Sequence, residues 1–103
     1  GQVEAGDVVI DLVNRRVTVA GEEVHFTPIE YDILRLLATN RGKIMTHQVL
    51  LAQVWGPEYR EMTHYIRIHI SHIRQKLQED PAAGVQYIEN EPGIGYRFTT
   101  PDA

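Results

Sequence analysis

The segment from Thr63 to Gln78 constrains the fold more than any other part of the chain, because its residues divide into two faces at helical spacing. Apolar residues recur three or four positions apart, which places them on one stripe of an α-helix. The members of this stripe are Met62, Ile66, Ile70, Ile73 and Leu77. We therefore predict an amphipathic helix that packs this stripe against a core and leaves its other face free.

The other face of this helix is polar, with one exception. Its members, including two residues on its flanks, are His64, Tyr65, Arg67, Ser71, His72 and Gln75. Ile68 lies in the middle of this face, where it cannot pack against the core on the other side of the helix. In a DNA major groove it would have a use, because thymine presents a methyl group among hydrogen-bonding base edges. Single exposed isoleucines are also common, so Ile68 alone leaves both interpretations open.

Composition limits the chain to one small domain. It has 103 residues, of which 43% are apolar, so a modest packed core is expected. It has no cysteine, which excludes disulfides, thiolate zinc sites and cysteine nucleophiles and fits a reducing compartment such as the cytoplasm. No apolar run approaches the roughly 18 residues of a membrane span, and we predict no membrane association.

Charge is distributed unevenly along the chain. The net charge is −4, which taken alone argues against a nucleic-acid partner, since phosphate binding requires positive surface. Residues 60–76, however, carry four basic residues against one acidic residue, a local net charge of +3 that leaves −7 on the rest. One basic element on an acidic body indicates oriented binding to a polyanion, but a solvated helix face would carry the same charge.

The N-terminal half reads as a small sheet followed by a helix. Residues 1–7 look like a tether, and residues 8–12, 16–19 and 23–26 alternate as three short strands of a meander. Thr27 is predicted to be the N-cap of a helix that runs to about Thr39. Glu30 completes a capping box with Thr27, and Pro28 occupies a position where its missing N–H is not needed.

The C-terminal half predicts a second helix, the amphipathic helix and a hairpin. Thr46 is the predicted N-cap of the second helix, which follows a short connector and turns Val49, Leu50 and Val54 inward. Residues 85–89 and 95–99 read as two strands joined by residues 90–94. The predicted fold class is α+β, a winged helix-turn-helix with an N-terminal antiparallel sheet, three helices and a C-terminal β-hairpin wing over residues 8–100, with a tail at residues 101–103.

Four blocks in this order resemble one protein family. They are FTPIEYDIL at 26–34, VWG at 54–56, IRIHISHIRQKL at 66–77 and GIGYRF at 93–98. Together they are similar to the winged-helix DNA-binding domain of OmpR/PhoB-type bacterial response regulators, over about residues 6–100. Within that family, residues 55–57, 64–65, 72–77 and 80–81 are most similar to regulators of potassium-transport genes.

The resemblance implies a function and a set of partners. Family members join an N-terminal receiver domain, absent from this sequence, to an effector half that binds double-stranded promoter DNA as a head-to-tail dimer and contacts RNA polymerase. Carried over by position, the DNA contacts are His64, Tyr65, Arg67, Ile68, Ser71, His72, Arg74, Gln75, Asn90, Gly93 and Tyr96. The loop that would face RNA polymerase comprises Trp55, Gly56, Pro57, Glu58, Tyr59, Arg60 and Glu61.

The sequence departs from the family pattern in two places, and one alternative function stays open. Many relatives carry a basic residue at the wing tip, where this chain has Glu91-Pro92, and some carry Arg where Ser71 and His72 stand. The alternative function is a winged helix used for protein–protein contact. We predict no enzyme activity, cofactor or metal site, because no catalytic constellation, cofactor fingerprint or ligand spacing is present. His69, at the border of the apolar stripe, is predicted to be packed.

Overall fold

The N-terminal part of the chain is a four-stranded antiparallel sheet. We analysed a computed structural model, which describes residues 1–101, so that positions 102–103 of the predicted tail lie outside the described residues. The strands are β1 (Gln2–Ala5), β2 (Val8–Asp11), β3 (Arg16–Val19) and β4 (Glu22–Val24), paired in chain order. Val8 and Ile10 lie opposite Val19 and Val17 and are buried with them, because alternate residues of a strand share one face.

The prediction that residues 1–7 form a tether was wrong. Residues 2–5 form β1, and Ala5 pairs with Val8 and is buried. Tight turns at Gly6 and Asp7 fold β1 back on β2, and the Tyr87 hydroxyl accepts a hydrogen bond from the Asp7 backbone N–H at 3.3 Å. Val3 is the one β-branched residue of β1, so pairing with β2, rather than the residues of β1 themselves, makes this segment a strand.

The first helix, α1 (Pro28–Thr39), begins and ends as predicted. The Thr27 hydroxyl accepts from the Glu30 backbone N–H at 3.2 Å, while the Glu30 carboxylate accepts from the Thr27 backbone N–H at 3.0 Å. This capping box satisfies two N–H groups that lack partners within the helix. The helix packs on both other helices and the wing, and its buried apolar residues are Tyr31, Ile33, Leu34, Leu37 and Ala38.

The second and third helices are α2 (His47–Val54) and α3 (His64–Lys76), joined by a loop with one 3₁₀ turn at Pro57–Tyr59. Thr46 caps α2 through a hydrogen bond from the Val49 backbone N–H. Val49 itself is 43% exposed, so the prediction that it faces inward was wrong. Leu50 and Leu51 are buried, and the predicted inward residue Val54 is half-buried and packs against the core with Leu50.

The buried stripe of α3 is confirmed at four of its five predicted positions. Ile66, Ile70, Ile73 and Leu77 are fully buried or nearly so, whereas Met62 is 39% exposed. Met62 precedes Thr63, the N-cap of α3, and therefore lies outside the helix. Helical spacing therefore does not place its side chain on the stripe.

The C-terminal part forms a second sheet that contains the wing. It consists of β5 (Ile44–Thr46), β7 (Gly95–Phe98) and β6 (Ile88–Glu91) in that spatial order. The residues predicted as a connector therefore form a strand, and β6 begins three residues later than predicted. A Cβ at position 95 would lie 2.0 Å from the Met45 carbonyl oxygen, so only glycine permits β5 and β7 to pair there.

Among the residues that the structure describes, no helix is both long enough and apolar enough to cross a membrane.

Replacing Ile70 by alanine is expected to lower the free energy of unfolding by about 2–5 kcal/mol, because it removes packed methyl groups from a full core. The matched control is Ile68→Ala, which removes the same side chain from the opposite, exposed face of α3. Its side chain is 57% exposed, so unfolding should change by less than about 0.5 kcal/mol. Urea titrations of both variants measure this. Equal losses would mean that the faces of α3 are assigned incorrectly.

Candidate nucleic-acid interface

The polar face of α3 is open to solvent along its length. Ile66, Ile70 and Ile73 point into the core, and the polar residues on the other side are exposed. Ile68 lies among them as the most exposed isoleucine of the chain. The face is about 18 Å long for a 12-residue span at 1.5 Å per residue, and a DNA major groove is wide enough to admit an α-helix.

A cleft of about 530 Å³ separates α3 from the wing. Its lining combines basic, hydroxyl and amide side chains with backbone of the wing turn, and comprises His47, Arg67, Ile70, Ser71, Arg74, Gln75, Asn90, Pro92, Gly93 and Tyr96. No carboxylate is among these residues, although the chain as a whole is acidic. The cleft therefore suits an anion that enters between the helix and the hairpin.

The wing is held against α3 by a pair of charged side chains. Glu79, which follows α3, accepts hydrogen bonds from the backbone N–H groups of Tyr87 and Ile88, each at 2.9 Å. Arg74 donates to the Ile88 carbonyl oxygen at 2.8 Å, and its Nε lies 3.6 Å from the Glu79 carboxylate. These contacts fix the first residues of β6 relative to the last turns of α3.

Arg74 therefore differs from Arg67 in what its charge does. The Arg74 guanidinium is occupied by Glu79 and Ile88 and lies 5.9 Å from the centre of the Tyr96 ring. Arg67 is exposed at the rim of the cleft. The resemblance places both among the DNA contacts, and in the structure Arg67 is the one whose charge is not engaged in wing attachment.

His47 is a cleft residue that the sequence analysis missed. Its backbone N–H donates to the Ile94 carbonyl oxygen at 3.0 Å, and its ring meets the Tyr96 ring edge-on at 5.4 Å. Burial, followed by the nearby Arg67 charge, lowers the pKa of His47 below its ordinary value. His47 is thus favoured in its neutral form in the free protein. The sequence gives no local signal for this role, because His47 joins the cleft only through its contacts with the wing.

On the opposite flank of α3, the buried carboxylate of Glu30 meets two basic side chains. Lys76 Nζ donates to Glu30 Oε1, and His72 Nδ1 lies 3.6 Å from Glu30 Oε2. Burial alone would raise the pKa of Glu30. The Lys76 ammonium and the hydrogen bonds at Thr27 outweigh burial and hold that pKa below its ordinary value.

An aromatic cluster covers the junction between the α2–α3 loop and the start of α3. The Trp55 ring lies 6.1 Å from Tyr65 and 5.4 Å from His69, and Tyr65 also contacts Tyr59 and His64. His69 is half-buried, and burial lowers its pKa, in agreement with the prediction that it is packed. Within residues 1–101, no group of three or more acidic or histidine side chains is arranged to hold a metal ion.

The structure brings most of the predicted DNA-contacting residues to one side of the molecule, in three groups. The group in the cleft comprises Arg67, Ser71, Arg74, Gln75, Asn90, Gly93 and Tyr96. Tyr96 is buried at its floor, where the ring supports His47. His64, Tyr65 and Ile68 extend the surface toward the start of α3, and His72 lies on the flank beside Glu30. The loop at 55–61 lies beside α2, and its Trp55 and Tyr59 rings contact Tyr65 at the start of α3.

Known proteins with the same sequence pattern are transcription regulators. Residues 21–98 match the family model described as "Transcriptional regulatory protein, C terminal". Over 96 residues, 93% of this chain, the sequence is 50% identical to the KDP operon transcriptional regulatory protein KdpE of Escherichia coli and 42% identical to KdpE of Mycobacterium tuberculosis. The match spans 42% of the length of these relatives.

Solved structures show the same fold. The DNA-binding domain of Klebsiella pneumoniae RstA, in complex with the RstA box, superposes with a TM-score of 0.83 at 34% identity, covering 95% of this chain and 96% of that one. The C-terminal effector domain of BfmR from Acinetobacter baumannii has a TM-score of 0.78 at 38% identity, covering 97% and 91%.

Replacing Glu30 by glutamine is expected to lower the free energy of unfolding at pH 7 by about 2–3 kcal/mol, because Lys76 loses its partner while the cap survives. The pKa of Glu30 is lowered by folding, so its carboxylate stabilises the protein above about pH 4.3, and this contribution is lost as pH falls through the folded pKa. The difference between wild type and variant should therefore shrink in acid.

Denaturant titrations from neutral pH to about pH 3 measure this difference, and Glu23→Gln, at an exposed position on β4, is the control. A Glu30→Gln penalty that stays constant down to about pH 3 would contradict the assigned ion pair.

Proposed function

Because the chain belongs to the family of C-terminal domains of transcriptional regulatory proteins, we propose that it binds double-stranded promoter DNA in a sequence-specific manner. In this proposal it is the effector domain of a bacterial two-component response regulator. The observation that carries the proposal is the exposed polar face of α3, with Ile68 at its centre and a cleft without carboxylates beside it.

The geometry supports different DNA contacts at the centre and at the rim of this surface. Side chains at the centre of the α3 face read base edges, with Ile68 against a thymine methyl and Ser71 and Gln75 as hydrogen-bonding groups. Arg67, at the rim, contacts a phosphate and sets the register of the helix on the duplex. His64, Tyr65 and His72 extend this contact along the helix and its flank.

The cleft supports a path for one DNA strand between α3 and the wing. Asn90 and Gly93 lie on the wing side of the cleft, where they would meet the sugar-phosphate backbone or the minor groove. Arg74 lines the same cleft while it holds β6 in place, and Tyr96 forms its floor. Both therefore act on DNA chiefly by keeping the two walls of the cleft at a fixed distance.

The proposal also includes three partners of the domain: a receiver domain, a second copy on DNA and RNA polymerase. Since the curated relatives are more than twice as long as the match, we infer that a receiver domain precedes this effector domain in the whole protein. We propose a head-to-tail dimer on DNA, and contact with RNA polymerase through the loop from Trp55 to Glu61. A cytoplasmic location follows from binding to bacterial chromosomal DNA.

The identity to two KdpE proteins supports control of potassium-transport genes as the regulon. We propose one folded unit over residues 2–100, which extends the predicted domain boundary at residue 8 to include β1. Two residues of the predicted tail, 102 and 103, lie beyond the part of the chain that the structure describes.

The alternative function is a winged helix that contacts only protein. A mobility-shift experiment separates the two functions: the chain is incubated with duplexes of random sequence at low and high salt, and bound duplexes are recovered and sequenced. DNA binding predicts a shift that weakens with salt and enriches one sequence. A module for protein contact alone predicts no shift at either salt concentration.

Replacing Arg67 by alanine is expected to weaken binding to all duplexes about equally and to reduce the slope of log K against log salt by about one unit, since one phosphate contact is lost. Ile68→Ala should instead cost about 1–2 kcal/mol on the selected duplex and little on a scrambled one, because a thymine contact is specific.

Both variants are titrated with both duplexes from about 50 to 200 mM salt, which spans the range over which phosphate contacts are resolved. Arg16→Ala, at an exposed position of β3, serves as the charge-matched control and should leave the slope unchanged. A loss for Arg67→Ala confined to the selected duplex would make Arg67 a base-reading residue and contradict the assignment.

A further inference from the structure

The two oxygens of the buried Glu30 carboxylate have different partners. Oε1 accepts from Lys76 Nζ and from the Thr27 backbone N–H, so it already satisfies both the ion pair and the helix cap. Oε2 faces His72 Nδ1 at 3.6 Å. Neither the cap nor the ion pair requires this second contact, which directs the carboxylate toward the flank of the proposed DNA-binding face.

His72 is arranged to connect the core with the surface. Its side chain is 49% exposed, whereas that of Glu30 is 5% exposed. The two ring nitrogens lie on different edges of the imidazole, so a ring whose Nδ1 faces Glu30 offers Nε2 to whatever approaches α3. A hydrogen bond at one nitrogen determines whether the other acts as donor or acceptor.

We propose that Glu30 is a positioning residue for DNA recognition, which holds His72 with Nδ1 as the donor to its carboxylate and Nε2 toward DNA. This inference rests on the proposed function, that α3 reads DNA. A neutral ring then presents Nε2 as an acceptor, and a protonated ring presents it as a donor to a phosphate or a base oxygen. A carboxylate behind a histidine orients metal-ligating imidazoles in the same way.

The other charged groups around Glu30 support this arrangement. Lys76, at the end of α3, pairs with the carboxylate, and its ammonium lies 5.5 Å from the centre of the Phe26 ring. His69 lies one turn from His72 on α3, and burial lowers its pKa. Glu30 acts in the opposite direction and raises the pKa of His69, whereas His72 lowers it further. Lys76 therefore keeps the carboxylate in place while its second oxygen remains available to His72.

A double-mutant cycle on DNA affinity tests the proposal. The ligand is a duplex selected by the wild-type chain from random sequence, and the variants are Glu30→Gln, His72→Gln and both together. Each single change is expected to weaken binding about 5–10-fold, and the double variant should bind no more weakly than His72→Gln alone, since coupled residues are not additive. Circular dichroism at the binding temperature confirms that each variant is folded.

The matched control cycle replaces His72→Gln by His64→Gln, which removes another exposed imidazole of α3 that does not face Glu30. Its effects should multiply with those of Glu30→Gln. Multiplication in the His72 cycle as well would overturn the proposal, because Glu30 would then act through folding alone. Failure of the wild-type chain to bind any duplex would overturn the proposed function instead.

A second measurement needs neither DNA nor a variant that weakens the core. The ¹⁵N chemical shifts of the His72 ring in the free wild-type chain identify which nitrogen carries the proton in the neutral form. The proposal predicts a protonated Nδ1 and an unprotonated Nε2. A proton on Nε2 with Nδ1 bare would overturn it, even if every variant in the cycle proved too unstable to assay.

Discussion

The Glu30 carboxylate is the buried charge on which the relation between core and surface depends. It closes the cap of α1 through Thr27, receives the Lys76 ammonium from the end of α3, and faces His72 on the exposed side of that helix. Apolar packing alone could bury α3 in several rotations, since a stripe of isoleucines is tolerant of small shifts. A buried charge is less tolerant, because removing the side chain that pairs with it costs several kcal/mol. We therefore regard this ion pair as a determinant of the rotation of α3 more than of net stability.

A second polar attachment, at the other flank of α3, sets the wing. Arg74 and Glu79 bind backbone groups of Tyr87 and Ile88, so the hairpin begins at a fixed distance from the helix. The wing turn then returns to α2, where Ile94 accepts from the backbone of His47. The surface proposed to bind DNA is thus a rigid helix and a hairpin attached at two points. A site carried on such elements keeps its geometry before the ligand arrives.

Local signals were sufficient to predict much of this fold. The capping box at Thr27 and Glu30 involves residues three apart, and the exposure of Ile68 follows from helical spacing. Features that a segment's own sequence does not determine were missed: β1 is a strand because β2 pairs with it, and Val49 is exposed because the neighbours of α2 lie on another side. The place of His47 in the cleft depends on a hairpin that lies more than forty positions away in sequence.

The central claim is that α3 and the wing form a DNA-binding surface, and mapping that surface in solution tests it most directly. The chain is labelled with ¹⁵N and titrated with a selected duplex long enough for one copy. We expect the largest amide shifts between His64 and Gln75 and at Gly93, with little change in β1 to β4. Shifts concentrated in the N-terminal sheet, with the amides of α3 unchanged, would contradict it.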